Sequence, residues 1–130
     1  MKKTFDEIID IITEDDPRYS EGAYTFVMEA LTFTQKKYRS LKHVSGTELL
    51  EGIKQLLVKK FGPMTMTVLN HWGIKETEDF GHVVFNLVKN KVLSKTEDDD
   101  IQHFRDVYDF EKVFSHDYRK RMAKKISRMR

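Results

Sequence analysis

Seven basic side chains, Arg119, Lys120, Arg121, Lys124, Lys125, Arg128 and Arg130, fall within residues 119–130, and no acid lies among them. Each can neutralise a phosphate or a carboxylate and release counterions, so the cluster is a candidate polyanion-binding element. Such contacts position a partner without reading a sequence. The whole chain holds 23 Lys+Arg and 21 Asp+Glu, so 16 basic residues face 21 acids elsewhere. A body of net charge −5 therefore carries a +7 terminal segment, and the overall +2 conceals that division.

The five histidines, His43, His71, His82, His103 and His116, show no metal-ligand spacing. Asp79-Phe80-Gly81 matches the magnesium-binding tripeptide of protein kinases, yet no glycine-rich loop or His-Arg-Asp accompanies it. First-turn charge explains Asp79 more simply. Glu97-Asp98-Asp99-Asp100 lacks the alternating ligands and glycine of a calcium loop. Ser45 precedes Gly46 without the Gly-x-Ser-x-Gly frame of a nucleophile elbow. These features leave no catalytic constellation, and no cofactor is expected. Arg18, Tyr19, Tyr24, His43, His71, Trp72 and His82 form a candidate pocket set, although core stacking explains the aromatics equally well.

These residues need a scaffold, and composition bounds it. A chain of 130 residues with 39% hydrophobic content suffices for one cored domain. The absence of cysteine excludes disulfides and thiolate chemistry and suits a reducing, cytoplasmic setting. Acids follow Phe5 at once, so no signal peptide is read, and apolar runs are too short for a membrane span.

Helical periodicity dominates. Phe5, Ile8, Ile9 and Ile12 form the first stripe, opened by Thr4 with Glu7 and stopped before Pro17. Ser20 caps a second helix running to about Arg39. Ser45 with Glu48 is a capping box for a third, which ends at Gly62-Pro63. A short helix with Met64, Val68, Leu69 and Trp72 inward closes at Gly73. Phe80, Val83, Val84, Leu87, Val88 and Val92 then mark a longer one. From Ser94 the pattern weakens, and Ile101 to Phe110 is compatible with a helical turn, a small β-hairpin or a strap. Phe114, Tyr118, Met122 and Ile126 recur every four residues, so a final amphipathic helix is expected from about Phe110.

The fold expected is mainly α: one compact domain of five to six helices over residues 1–117, with a basic extension at 118–130. A winged-helix-like core with a hairpin near 93–110 is a further expectation. DNA reading by such a core is disfavoured, because the helix from Glu78 to Val92 has bases only at Lys89 and Lys91 and the wing would be acidic.

An ordered set of short motifs carries a resemblance. It runs through Arg18-Tyr19, Ala23-Tyr24-x-Phe26-Val27, His43-Val44-Ser45-Gly46-x-Glu48-Leu49-Leu50, Phe61-Gly62-Pro63-Met64, Trp72-Gly73-Ile74, Thr77-x-Asp79-Phe80-Gly81 and Tyr108-Asp109-Phe110. Over roughly residues 5 to 114 the chain resembles a family of small uncharacterised bacterial proteins of Planctomycetes–Verrucomicrobia type. The resemblance implies no activity, and the segment after Tyr118 lies beyond it.

The function expected is a non-enzymatic interaction module with a protein partner or self-association, the basic segment adding electrostatic affinity. Non-specific nucleic-acid binding through that segment is the alternative, and a small ligand-binding protein or enzyme the third.

Overall fold

The computed structural model describes residues 2–39, 44–94 and 100–128. The chain is mainly α, and no strand occurs among the described residues. Helix α1 is Phe5–Asp15, α2 Glu21–Lys37, α3 Gly46–Phe61, α4 Thr65–Trp72, α5 Thr77–Lys89 and α6 Asp117–Arg128. None of these helices is long and apolar enough to cross a membrane.

Local chemistry sets the helix ends. The Ser45 hydroxyl accepts from the Glu48 amide at 3.1 Å, and Glu48 accepts from the Ser45 amide at 2.9 Å, so two otherwise orphan donors are satisfied. Thr4 accepts from the Glu7 amide at 3.2 Å, half of the expected box. Ser20 caps α2 by its backbone position alone, and its hydroxyl is buried without a partner. Gly73 ends α4 in the left-handed conformation, φ 81°, which a side chain would strain. Pro63 opens a 3-10 turn, Gly62–Met64, that leads from α3 into α4.

Helix α2 is the axis of the fold, packed by α1, α3, α4 and α5. Its apolar residues therefore spread round the cylinder, and Ala23, Tyr24, Phe26, Val27 and Ala30 are all buried. Where α2, α3 and α4 meet, Trp72 lies 5.2 Å from Phe26 and 5.8 Å from Phe61, ring centre to ring centre. Helix α4 keeps Leu69 and Trp72 inward, but Met64, expected inside, is 55% exposed at its start.

The hairpin expected at 93–110 is absent from the described part of that range. Ile101–Phe104 is a 3-10 turn, and residues 105–109 are turn and coil. The segment is a strap, pinned where the Thr77 hydroxyl donates to the Phe104 carbonyl at 2.6 Å and accepts from the Val107 amide at 3.2 Å. One threonine thus satisfies two strap groups, which a hairpin partner would otherwise have done. Helices α4 and α5 do follow each other across a turn, but no strand occurs among the described residues to form a wing, and the winged-helix expectation is not supported. Residues 95–99 lie outside the described residues.

After the strap, Phe110 and Phe114 enter the core, 5.6 Å apart, with Phe110 against Phe80 at 6.1 Å. A π-helical turn, Glu111–His116, carries the chain into α6.

Candidate functional site

Two polar assemblies stand out among the described residues. The first joins the start of α2 to α5. Arg18 donates to both oxygens of Asp16, Nε at 2.9 Å and a terminal nitrogen at 2.8 Å. The Asn86 amide donates to Asp16 at 3.0 Å and to the Tyr24 hydroxyl at 3.0 Å. Tyr19 donates to Asp79 at 2.6 Å, while the other Asp79 oxygen accepts the Lys75 and Glu76 amides at 2.8 and 3.1 Å. His82 stacks beside Tyr19 with ring centres 6.5 Å apart.

The geometry therefore brings together Arg18, Tyr19, Tyr24 and His82 from the expected pocket set. Tyr24 is fully buried and Tyr19 nearly so, and their hydroxyls are bonded inside the network. Trp72 packs in the separate aromatic cluster, and His71 points outward on α4. His43 lies outside the described residues. Among the described residues no group of three or more His, Asp or Glu is placed to hold a metal ion. The assembly is a clamp on the α1–α2 corner, with each partner satisfied by another.

Its electrostatics give a pH prediction. The Arg18 guanidinium holds the Asp16 carboxyl well below the usual carboxylate range, against a smaller opposing effect of burial, and Asn86 assists. A depressed carboxyl stabilises the fold above its unfolded value of about 3.9, and that contribution is lost as pH falls towards its folded value. At the other extreme, burial pushes the Tyr19, Tyr24 and Tyr108 hydroxyls up. Raised groups stabilise the fold below their unfolded value of about 10, and the contribution fades as pH climbs past it. Thermal melts across pH should thus fall off at both ends. Asp16→Asn flattens the acid limb. Tyr108→Phe flattens the alkaline limb while costing about 1 kcal/mol for the lost 2.6 Å bond to the Leu50 carbonyl. Unchanged limbs in both variants would contradict this assignment.

The second assembly is built by α6. Lys120, Lys124 and Arg128 follow at i, i+4 and i+8, with Arg121 and Lys125 on the adjoining row. Met122 and Ile126 occupy the opposite side with Ala123 and Arg119. The described cationic side chains of α6 are exposed, and no ion pair joins them to an acid among the described residues. Like charges one turn apart repel by about 0.2–0.5 kcal/mol per pair, so these rows are costly until an anion arrives.

The two sides of α6 border different grooves. Met122, Ala123 and Ile126 face Pro63 and Phe114 across a shallow space of about 380 Å³. Lys120, Arg121 and Lys124 border, with Lys54, Gln55 and Val58 of α3, a larger one of about 570 Å³ that Val113 also lines. Among its described lining residues, every ionisable side chain is a cation. Lys54 is tethered there, 2.9 Å from Glu51 and over the Tyr108 ring. Arg119 lies on the other side, Lys125 and Arg128 extend the exposed basic face, and Arg130 falls outside the described residues.

Sequence reasoning located the cations of α6 but missed Lys54, Gln55, Val58 and Val113. Lys54 was visible as a polar residue between the core positions Ile53 and Leu57. Nothing local says that α6 returns beside it. Asn86 was missed for the same reason, since its partners lie 62 and 70 residues away.

No family model, curated protein or solved structure matches this chain.

Proposed function

We propose that the protein is a non-enzymatic binding module that captures an anionic protein surface in the groove between α3 and α6. The observation that carries this reading is the groove's composition: Lys54, Lys120, Arg121 and Lys124 line one space with Val58 and Val113, and no acid is among its described lining residues. The four cations steer and orient, and Val58 and Val113 offer apolar contact that a fully hydrated polyanion would not use. The proposed relationship to small bacterial proteins and the cytoplasmic setting rest on the ordered motifs and on the cysteine-free composition.

A second reading, non-specific nucleic-acid binding, draws on the row Lys120, Lys124 and Arg128, spaced about 6 Å apart along the helix. Among the groove's described lining residues the apolar side chains are Val58 and Val113, which suit an aliphatic contact from a protein partner better than a stacked base.

Fluorescence anisotropy with labelled poly-glutamate and with a random-sequence DNA duplex separates the two. At about 50 mM salt the peptide should bind, and it should weaken towards about 200 mM. Lys120→Gln/Arg121→Gln/Lys124→Gln should weaken it about tenfold or more. Duplex binding far tighter than peptide binding would install the second reading. Peptide affinity that ignores both salt and these substitutions would remove the first.

A further inference from the structure

A complementary face exists on this same chain. Helix α1 holds Asp6, Glu7, Asp10, Glu14 and Asp15 and no base, although Lys2 and Lys3 precede it. Its inner side, Ile9 and Ile12, is buried. Its outer side is a ridge of Glu7, Asp10, Ile11 and Glu14 at i, i+3, i+4 and i+7, all exposed. Ile11 is 39% exposed, a large aliphatic side chain set among three acids. That pattern breaks the apolar-in, polar-out division that the rest of α1 obeys.

We infer that the occupant of the α3–α6 groove is the α1 ridge of a second copy of this chain. The inference rests on the reading of the groove given above and names its partner. Ile11 would seat on Val58 and Val113. Asp10 and Glu14 are one helical turn apart, about 6 Å, as are Lys120 and Lys124, so two charge pairs form in register. Within one chain α1 packs on α2 and reaches α5 through Asp15 and Lys89, whereas the groove lies between α3 and α6, so each copy offers both faces at once. Ridge and groove are separate patches on one chain, so two copies either dock reciprocally about a two-fold axis or link head to tail into a ring or open chain. Such contacts also explain how an acidic body and a basic helix coexist with a net charge of only +2.

Multi-angle light scattering and sedimentation decide the matter with three proteins. The wild type at low salt should exceed the 15.4 kDa monomer and dissociate at high salt, stopping at the dimer if the contact is reciprocal and growing with concentration if it is head to tail. A ridge variant, Asp10→Asn/Ile11→Ser/Glu14→Gln, and a groove variant, Lys120→Gln/Arg121→Gln/Lys124→Gln, should each run as monomers. Mixed in equal amounts they should give a one-to-one complex and nothing larger, because one intact ridge and one intact groove remain. Circular dichroism checks that both variants fold. A monomeric wild type, or a mixture that stays monomeric, overturns the inference. If that monomer still binds poly-glutamate through Lys120 and Lys124, the groove reading stands without the second copy. If it binds neither, both fall.

Discussion

Replacing Phe104 with alanine should cost the fold about 3–5 kcal/mol, read as a lower urea midpoint, the range for truncating a buried aromatic. Phe104 is 1% exposed although it belongs to a segment with no regular partner. Its ring is 6.1 Å from that of Phe85 and edge-on to it. Two glycines admit it. A Cβ at Gly81 would come within 2.8 Å of the Phe104 side chain, and one at Gly46 within 2.9 Å. Truncation therefore leaves a cavity between α3 and α5 that rigid backbone cannot close. Thr77→Val is the companion test. It keeps the volume, orphans the Phe104 carbonyl and the Val107 amide, and should cost about 1–3 kcal/mol. A loss under about 1 kcal/mol for Phe104→Ala would mean that the strap is not part of the core.

The second large effect has the opposite origin, crowding. Gly52→Ala should destabilise by about 1–3 kcal/mol, against the gain of about 0.5–1 that alanine normally brings to a helix interior. Gly52 on α3 faces Thr34 on α2, and an added Cβ would overlap the Thr34 hydroxyl. That hydroxyl cannot swing away freely, since it donates to the Ala30 carbonyl at 2.7 Å in a buried site. The helices must separate, and this is the most extensive helix pair in the protein. Thr34→Ala should restore much of what Gly52→Ala loses, because it removes the colliding atom and its donor together. Two single losses that simply add in the double variant would refute the close approach.

Periodic elements were legible from the chain itself. The stripe through Phe5, Ile8, Ile9 and Ile12 and the Ser45–Glu48 box both encode their helices within one or two turns. The strap stood as one of three readings of its segment, and nothing local singled it out. Ile101, Phe104 and Val107 have a helical spacing, yet Arg105 turns extended and Asp106 takes a positive φ of 48°. What holds that course is Thr77, some 27 residues upstream. The site divides the same way. The cations of α6 stand out by composition, whereas the groove exists only because Val113 and Lys54 become neighbours in space. Asp79 shows a mixed case: its first-turn position was readable, but its bond to Tyr19, 60 residues away, was not.

The wide turn at Glu111–His116 sets the rotational phase of everything after it. A π-helical turn accommodates one residue more than the regular spiral, and each residue advances an α-helix by about 100°. Deleting a single position there would let the turn relax to the regular spiral, with the shaft of α6 kept in nearly its present phase. A deletion within the regular part of α6 finds no such slack and would swivel every later lysine by a little over a quarter of a revolution. The wide turn is thus a shock absorber for the arm, a place where the chain can change length without changing its aim.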